Sequence, residues 1–331
     1  MGLPRIAVIG TGGTISSLAT DPFDYVDYPE TGRKLSVAEV IDHIPALSAI
    51  ADLVPVPFRE VGSSAIGPAD WLRLAATIRH TAGDDGIAGF VILHGTATLE
   101  ETAWFLNLTL DIAQPVVLVG AQRPLNTVGS DATANAVAAL RVAADPQSRG
   151  RGVLVVLNDE IHAAREVAKG STYRLHAFHS GAFGPLGVVD PDRVVFSRRP
   201  ERLHTAATPF RVDDQTMLPR VDILYAMAGA DEVLARAAIA AGARGIVSAG
   251  FAPGMTSPVE RAVLVEAVAA GVVVVQASRV GSGRVSRRQW LRRQGWVGAD
   301  DLSPHKARIL LMLALMHSSD PDWIQTCFDT Y

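Results

Sequence analysis

The chain predicts an α/β protein of two domains, the larger amino-terminal one a mostly parallel sheet with helices on both faces, followed by a smaller α/β unit. Three observations carry this. Short apolar runs alternate with longer windows of helical periodicity through both halves, the rhythm of βαβ units. Runs such as VVLV at 116–119 and VLVVL at 153–157 are apolar throughout, as strands covered on both faces require. A length of 331 residues with 48% hydrophobic composition can bury a large core and divide into two domains.

Taken in order, strands are expected at 6–9, 54–57, 90–93, 116–119 and 153–157. Helices fall between them near 37–43, at 69–81, from Leu99 onward and at 131–144. From about 196 to 219 the chain turns Arg-rich and Pro-punctuated and loses periodicity, which reads as a linker between domains of 1–195 and 220–331. Beyond it come strands at 221–225, 245–248 and 272–276, helices at 232–241 and 259–270, and a last helix at 304–318.

Composition narrows the partners. A net charge of −4 gives no basis for binding nucleic acid. Cys327 is the only cysteine, so an intramolecular disulfide is impossible, which fits a reducing compartment. The first residues lead directly into a strand without the pattern of a secretory signal, and no apolar run approaches the ~20 residues of a membrane span. A soluble, cytoplasmic protein is the expectation. Lysine occurs only at Lys34, Lys169 and Lys306. Unlike arginine, a lysine can be tuned to act as a base.

Two strand-to-helix turns carry hydroxyl groups. In Leu93-His94-Gly95-Thr96-Ala97-Thr98-Leu99, Thr96 and Thr98 sit where free N–H groups and the helix dipole favour developing negative charge. Taken alone, Thr98 reads as the N-cap of the following helix, with Glu101 closing a capping box. In Gly10-Thr11-Gly12-Gly13-Thr14-Ile15, the third position of a dinucleotide fingerprint is Ile15 rather than glycine, and no Gly-Lys-Ser/Thr follows. What remains is a hydroxyl on a glycine-flanked loop, which suits a nucleophile better than a phosphate site.

Together the two turns resemble the TGGTI and HGTDT motifs of the bacterial-type asparaginases, and the likeness extends along nearly the whole chain. It includes Gly120-Ala121-Gln122-Arg123-Pro124, Ser130-Asp131 with Asn135, Arg165-Glu166-Val167-Ala168-Lys169, Ser278-Arg279-Val280 and Ser303-Pro304-His305-Lys306. Where the family has aspartate after the second threonine, this chain has Ala97.

The resemblance implies an amidohydrolase, with 1–195 as its catalytic domain. Thr14 would be the nucleophile, polarised by Tyr25 or Tyr28, with Tyr28 preferred for its nearness to the helix at Ser36. Thr96 and Lys169 would form the second catalytic group. Gly13, Gly62, Ser63, Ser64, Gly95 and Ala97 would contact substrate, Ser63 holding its α-carboxylate. The family's active sites lie between subunits, which implies a homodimer or a homotetramer. No cofactor is implied, and His94, His162, His176 and His179 lack metal-ligand spacing and read as structural groups.

The amino-acid pocket departs from the family. The missing carboxylate at Ala97 is the one that binds the substrate's α-ammonium group. Gly62-Ser63-Ser64 replaces Gly-Ser-Gln, Pro253 replaces a subunit-crossing asparagine, and 281–299 holds no acid, only arginines, Trp290 and Trp296. That arginine run is either a solvated loop or an anion- or aromatic-binding rim. The expected substrate is therefore a small-molecule primary carboxamide, or a cyclic amide, that lacks a free α-amino group and carries a carboxylate. An ordinary L-asparaginase and a non-catalytic ligand-binding homologue are the alternatives.

Overall fold

The computed structural model describes residues 2–331. It divides into two compact units, one reaching to Gln215 and one spanning Thr216–Tyr331.

The first unit is built on an eight-stranded sheet. Its parallel part runs in the spatial order Val153–Leu157, Val116–Val119, Ile87–Leu93, Arg5–Gly12, Asp52–Val61. Alternate residues of these strands point to opposite faces. Ile6, Val8, Val91, Leu93, Val117, Val119, Leu154 and Val156 share one buried cluster with Val37 and Val40 of helix Val37–His43 and Ala136 and Ala139 of helix Ala132–Ala144. On the opposite face, helix Leu99–Thr109 packs against Val153–Leu157 and presents fully buried Trp104 and Phe105. Each large apolar side chain covered in this way contributes roughly 1.5–3 kcal/mol.

The chain leaves Arg5–Gly12 for one neighbour, Asp52–Val61, and later returns to the other, Ile87–Leu93. The direction of winding reverses between those two placements. In an open α/β sheet, the crevice outside the carboxyl ends of the strands at such a switch point is where ligands bind. Here those ends are the two hydroxyl-bearing turns.

Three features differ from expectation. The sheet continues past Val153–Leu157 as antiparallel strands Glu160–Ala163, Gly187–Val189 and Val194–Phe196. The reversal is a two-residue turn in which Asn158 and Asp159 both have positive φ, 50° and 61°, a hairpin geometry that these short polar residues tolerate. The stretch expected as a linker is packed onto the first unit as far as Gln215. Phe210 and Val212 are buried, the Thr208 hydroxyl donates to the Leu108 carbonyl at 2.6 Å, and Arg79 donates to the Val212 carbonyl at 2.9 Å. Its backbone is satisfied by such individual bonds, which leave no periodic signal.

The second unit is a parallel sheet in the order Val221–Tyr225, Gly245–Gly250, Val273–Ser278, Val297–Gly298. The helix expected at 304–318 covers Pro304–Ala314, and a further helix, Pro321–Thr330, follows it. The break has a clear cause. Asp320 accepts from the Trp323 backbone N–H at 2.9 Å and Pro321 occupies the first turn, a start signal that ends one helix and begins the next. Within the arginine run, Arg284 pairs with Asp300, Arg287 pairs with Asp322, and Arg288 lies over the Trp290 ring at 5.8 Å from its centroid. Among the described residues, no helix is long and apolar enough to cross a membrane.

Candidate active site

The first turn is shaped by glycines that nothing else could replace. Gly12 and Gly13 have φ of 89° and 83°, the left-handed region that favours glycine. A Cβ on Gly13 would lie 2.2 Å from the Gly95 Cα, so the two turns touch backbone to backbone. The Gly13 N–H donates to the Val61 carbonyl at 2.9 Å, and the Ser17 hydroxyl donates to the Gly13 carbonyl at 2.9 Å. Thr14, half-buried, opens the short 3₁₀ turn Thr14–Ser16 that leaves this pinned corner.

The second turn is held by a buried histidine. His94 Nδ1 lies 2.8 Å from the Gly95 carbonyl, which can only accept, so Nδ1 carries the proton. Nε2 then accepts from the Thr102 hydroxyl at 3.0 Å, and that oxygen accepts from Trp71 Nε1 at 3.0 Å. Burial lowers the imidazole pKa to about 4, so the ring stays neutral and serves as a brace for the turn. Thr98 is not a side-chain cap. Its hydroxyl donates to the Ser63 carbonyl at 2.8 Å, and no side-chain bond closes the start of Leu99–Thr109. The capping box expected of Thr98 and Glu101 is absent because that hydroxyl ties the turn to a neighbouring segment.

Two side-chain pairs meet at a cleft of about 150 Å³, whose lining includes Thr14, Tyr28, Thr96, Gln122, Lys169 and Tyr173. The Thr14 hydroxyl is 2.6 Å from the Tyr28 hydroxyl, and Lys169 Nζ donates to Thr96 Oγ1 at 2.7 Å. Tyr25 also lines the cleft, but its hydroxyl donates to the Val128 carbonyl at 2.8 Å and its ring lies under Arg123. Lys169 is placed by the short strand pair Ala168–Lys169 and Phe178–His179, and its backbone N–H donates to Glu100 Oε1 at 3.2 Å. Among the described residues that line the cleft, none is acidic.

Burial perturbs both pairs. It lowers the pKa of Lys169 below the usual lysine value, while the Glu100 carboxylate pulls the other way. It raises the pKa of Tyr28, which its hydrogen bond to Thr14 opposes, so the phenol stays neutral near pH 7. A hydroxyl held by a neutral phenol beside a second hydroxyl held by a destabilised ammonium is an arrangement suited to moving protons.

The expected substrate contacts fall outside that lining. Gly13 and Gly95 are the backbone contact between turns. Ser63 is buried and its Oγ accepts from the Ala97 N–H at 3.1 Å, whereas Ala97 and Ser64 are exposed and Gly62 is half-buried. Gln122 and Tyr173 were not foreseen. Gln122 follows strand Val116–Val119, and Asp131, nine residues later, anchors its backbone N–H at 2.9 Å. The signal is the Asp131 block itself, which becomes legible as a clamp only once the fold brings it back.

A larger groove of about 340 Å³, lined by Ile112, Pro115, Val116 and Val153 among others, lies at the opposite, amino ends of the strands. It holds none of the paired groups above. Among the described residues, no cluster of three or more His, Cys, Asp or Glu side chains is placed to hold a metal ion.

Comparison with known proteins agrees with the fold over nearly the whole chain. Residues 5–202 match the family model "Asparaginase, N-terminal", and residues 220–328 match "Glutaminase/Asparaginase C-terminal domain". The chain is 40% identical to the probable periplasmic L-asparaginase of Haemophilus influenzae, over 99% of this chain and 93% of that protein. It is 38% identical to L-asparaginase 2 of Escherichia coli, over 100% and 94% respectively. The crystal structure of a probable cytoplasmic L-asparaginase from Campylobacter jejuni superposes with a TM-score of 0.94 at 39% identity, covering 99% of this chain and 100% of that one. With both domain models matched in order and threonines on the two turns at the switch point, this chain belongs to the asparaginase family of amidohydrolases.

Proposed function

We propose that this chain hydrolyses a primary carboxamide that lacks a free α-amino group, with Thr14 as nucleophile and Ala97 standing where the family carries its amine-binding aspartate. The observation that carries the reading is a cleft with both hydroxyl pairs and no carboxylate in its lining.

In this scheme Thr14 Oγ1 bonds to the amide carbon, and its proton passes by way of the Tyr28 hydroxyl to the nitrogen. The C–N bond breaks and ammonia leaves. Water then adds to the threonyl ester, giving a proton through Thr96 to neutral Lys169. Lys169 returns that proton as the ester C–O bond breaks, and Thr14 is restored with a carboxylic acid as product. The raised Tyr28 pKa supports a relay through a neutral phenol, and the lowered Lys169 pKa eases loss of the ammonium proton.

Specificity follows from charge. Placing an ammonium in this cleft sets it near Lys169 with no acid to pair it, a cost of several kcal/mol. Each 1.4 kcal/mol is about tenfold in selectivity. The names of the relatives support a second reading, turnover of L-asparagine itself. A homodimer or homotetramer, which the family resemblance implies, belongs to the same proposal. So does a cytoplasmic setting, for which the Campylobacter protein is named, although the Haemophilus relative is named periplasmic.

The test is ammonia release from L-asparagine, L-glutamine, succinamate and bulkier N-blocked amides. Succinamate and other amine-free amides are expected to be the better substrates. Saturable turnover of L-asparagine at millimolar concentration with little on the others would replace this reading with the second.

A further inference from the structure

We propose that Gln122 is a specificity-determining residue whose side-chain amide donates a hydrogen bond to a carboxylate oxygen of the bound amide. The inference deepens the reading above and rests on it: the substrate class becomes the monoamide of a dicarboxylic acid, without an amine.

The main chain at Gln122 is unusually well fixed. Its N–H donates to both oxygens of the Asp131 carboxylate, at 3.1 and 2.9 Å, and the Arg123 N–H adds a third bond at 3.0 Å. Asn135 Nδ2 donates to the same carboxylate at 3.0 Å and to the Gly120 carbonyl at 3.0 Å. The side chain therefore departs from a rigid corner and forms part of the cleft wall beside Thr14, Thr96 and Lys169.

Its Nε2 is shielded from solvent and meets no acceptor in the structure. A buried amide donor left in this state is costly, and native sites of this kind are commonly completed by a ligand. The neighbouring hydroxyls are already engaged, Thr14 with Tyr28 and Thr96 with Lys169. With no protein acceptor meeting Nε2, that acceptor is assigned to the bound substrate. An ammonium has no lone pair to offer and would face both this donor and Lys169. A carboxylate satisfies the donor and complements the lysine charge.

The experiment is steady-state kinetics of the parent, Gln122→Met and Gln122→Glu on succinamate, butyramide and L-asparagine, with thermal unfolding as the check on folding. Gln122→Met keeps the size but loses the donor. It is expected to raise KM for succinamate about tenfold, to leave kcat within about twofold, and to leave kcat/KM for butyramide, which has no carboxylate, unchanged. Gln122→Glu is expected to weaken succinamate further and to narrow the deficit of L-asparagine. An unchanged KM for succinamate in Gln122→Met overturns the inference. So does an equal fall in kcat on all three amides, which would place Gln122 on the scissile carbonyl. A parent that prefers L-asparagine overturns the amine-free reading instead. In that case a raised KM for L-asparagine in Gln122→Met, since that substrate also carries a carboxylate, would still uphold the assignment of Gln122.

Discussion

Thr14→Ala is expected to lower kcat on the preferred amide by about 10⁴-fold while KM changes little, because the variant removes the attacking atom and leaves the cleft in place. Thr14 is half-buried on a turn whose shape is set by Gly13, Ser17 and the contact with Gly95, so the substitution should not disturb folding. The substitution removes the bond to the Tyr28 hydroxyl. Thr14→Ser restores the oxygen and is expected to recover much of the rate. The check is single-turnover ammonia release with equal thermal unfolding of the three proteins. Retention of more than about 1% of the parent rate by Thr14→Ala would remove Thr14 from the nucleophile's role, since losses on nucleophile removal are far larger.

Lys169→Met is expected to cost about 10³-fold in kcat, through slowed hydrolysis of the threonyl ester, within the usual range for a positioned acid–base group. Lys169→Arg should not rescue it, because a guanidinium does not deprotonate near neutrality. The pH profile carries the sign. The neutral amine is the active form in this scheme and acts on the threonyl ester, so kcat rises with pH through the Lys169 pKa and levels above it. Burial places that inflection below the ordinary lysine value of 10.5, and the Glu100 carboxylate holds it up. Glu100→Gln should therefore move the inflection to lower pH. A parent profile flat across the alkaline range, or one unaltered in Glu100→Gln, would show that Lys169 does not act as the base.

How much of this could be seen in the residues themselves varied by scale. The strands Val116–Val119, Val153–Leu157 and Val221–Tyr225 and the helix Val37–His43 coincide with their expected bounds. Each is a short apolar or strongly periodic segment, and all but Val221–Tyr225 adjoin glycine, proline or a capping serine. The hairpin at Asn158 and Asp159 and the start signal at Asp320 and Pro321 are also written locally, in two residues each, and lie outside the expected elements. The site is different in kind. The two turns are legible as motifs, yet their juxtaposition depends on Gly13 meeting Gly95 across the switch point, and the choice between Tyr25 and Tyr28 depends on which hydroxyl reaches Thr14. Gln122 enters through a clamp formed by Asp131. None of these relations has a sequence period. Thr98 shows the converse: a local pattern for a cap yields to a bond with the Ser63 carbonyl.

The central claim is that an uncharged residue at Ala97 has shifted the chain from amine-bearing to amine-free amides. The measurement that tests it most directly is the ratio of kcat/KM for succinamate to that for L-asparagine, in the parent and in Ala97→Asp. The claim predicts a parent ratio above about ten, the equivalent of 1.4 kcal/mol, and a marked fall when the carboxylate is placed next to Thr96. A parent that favours L-asparagine, with the ratio unmoved in Ala97→Asp, would contradict it.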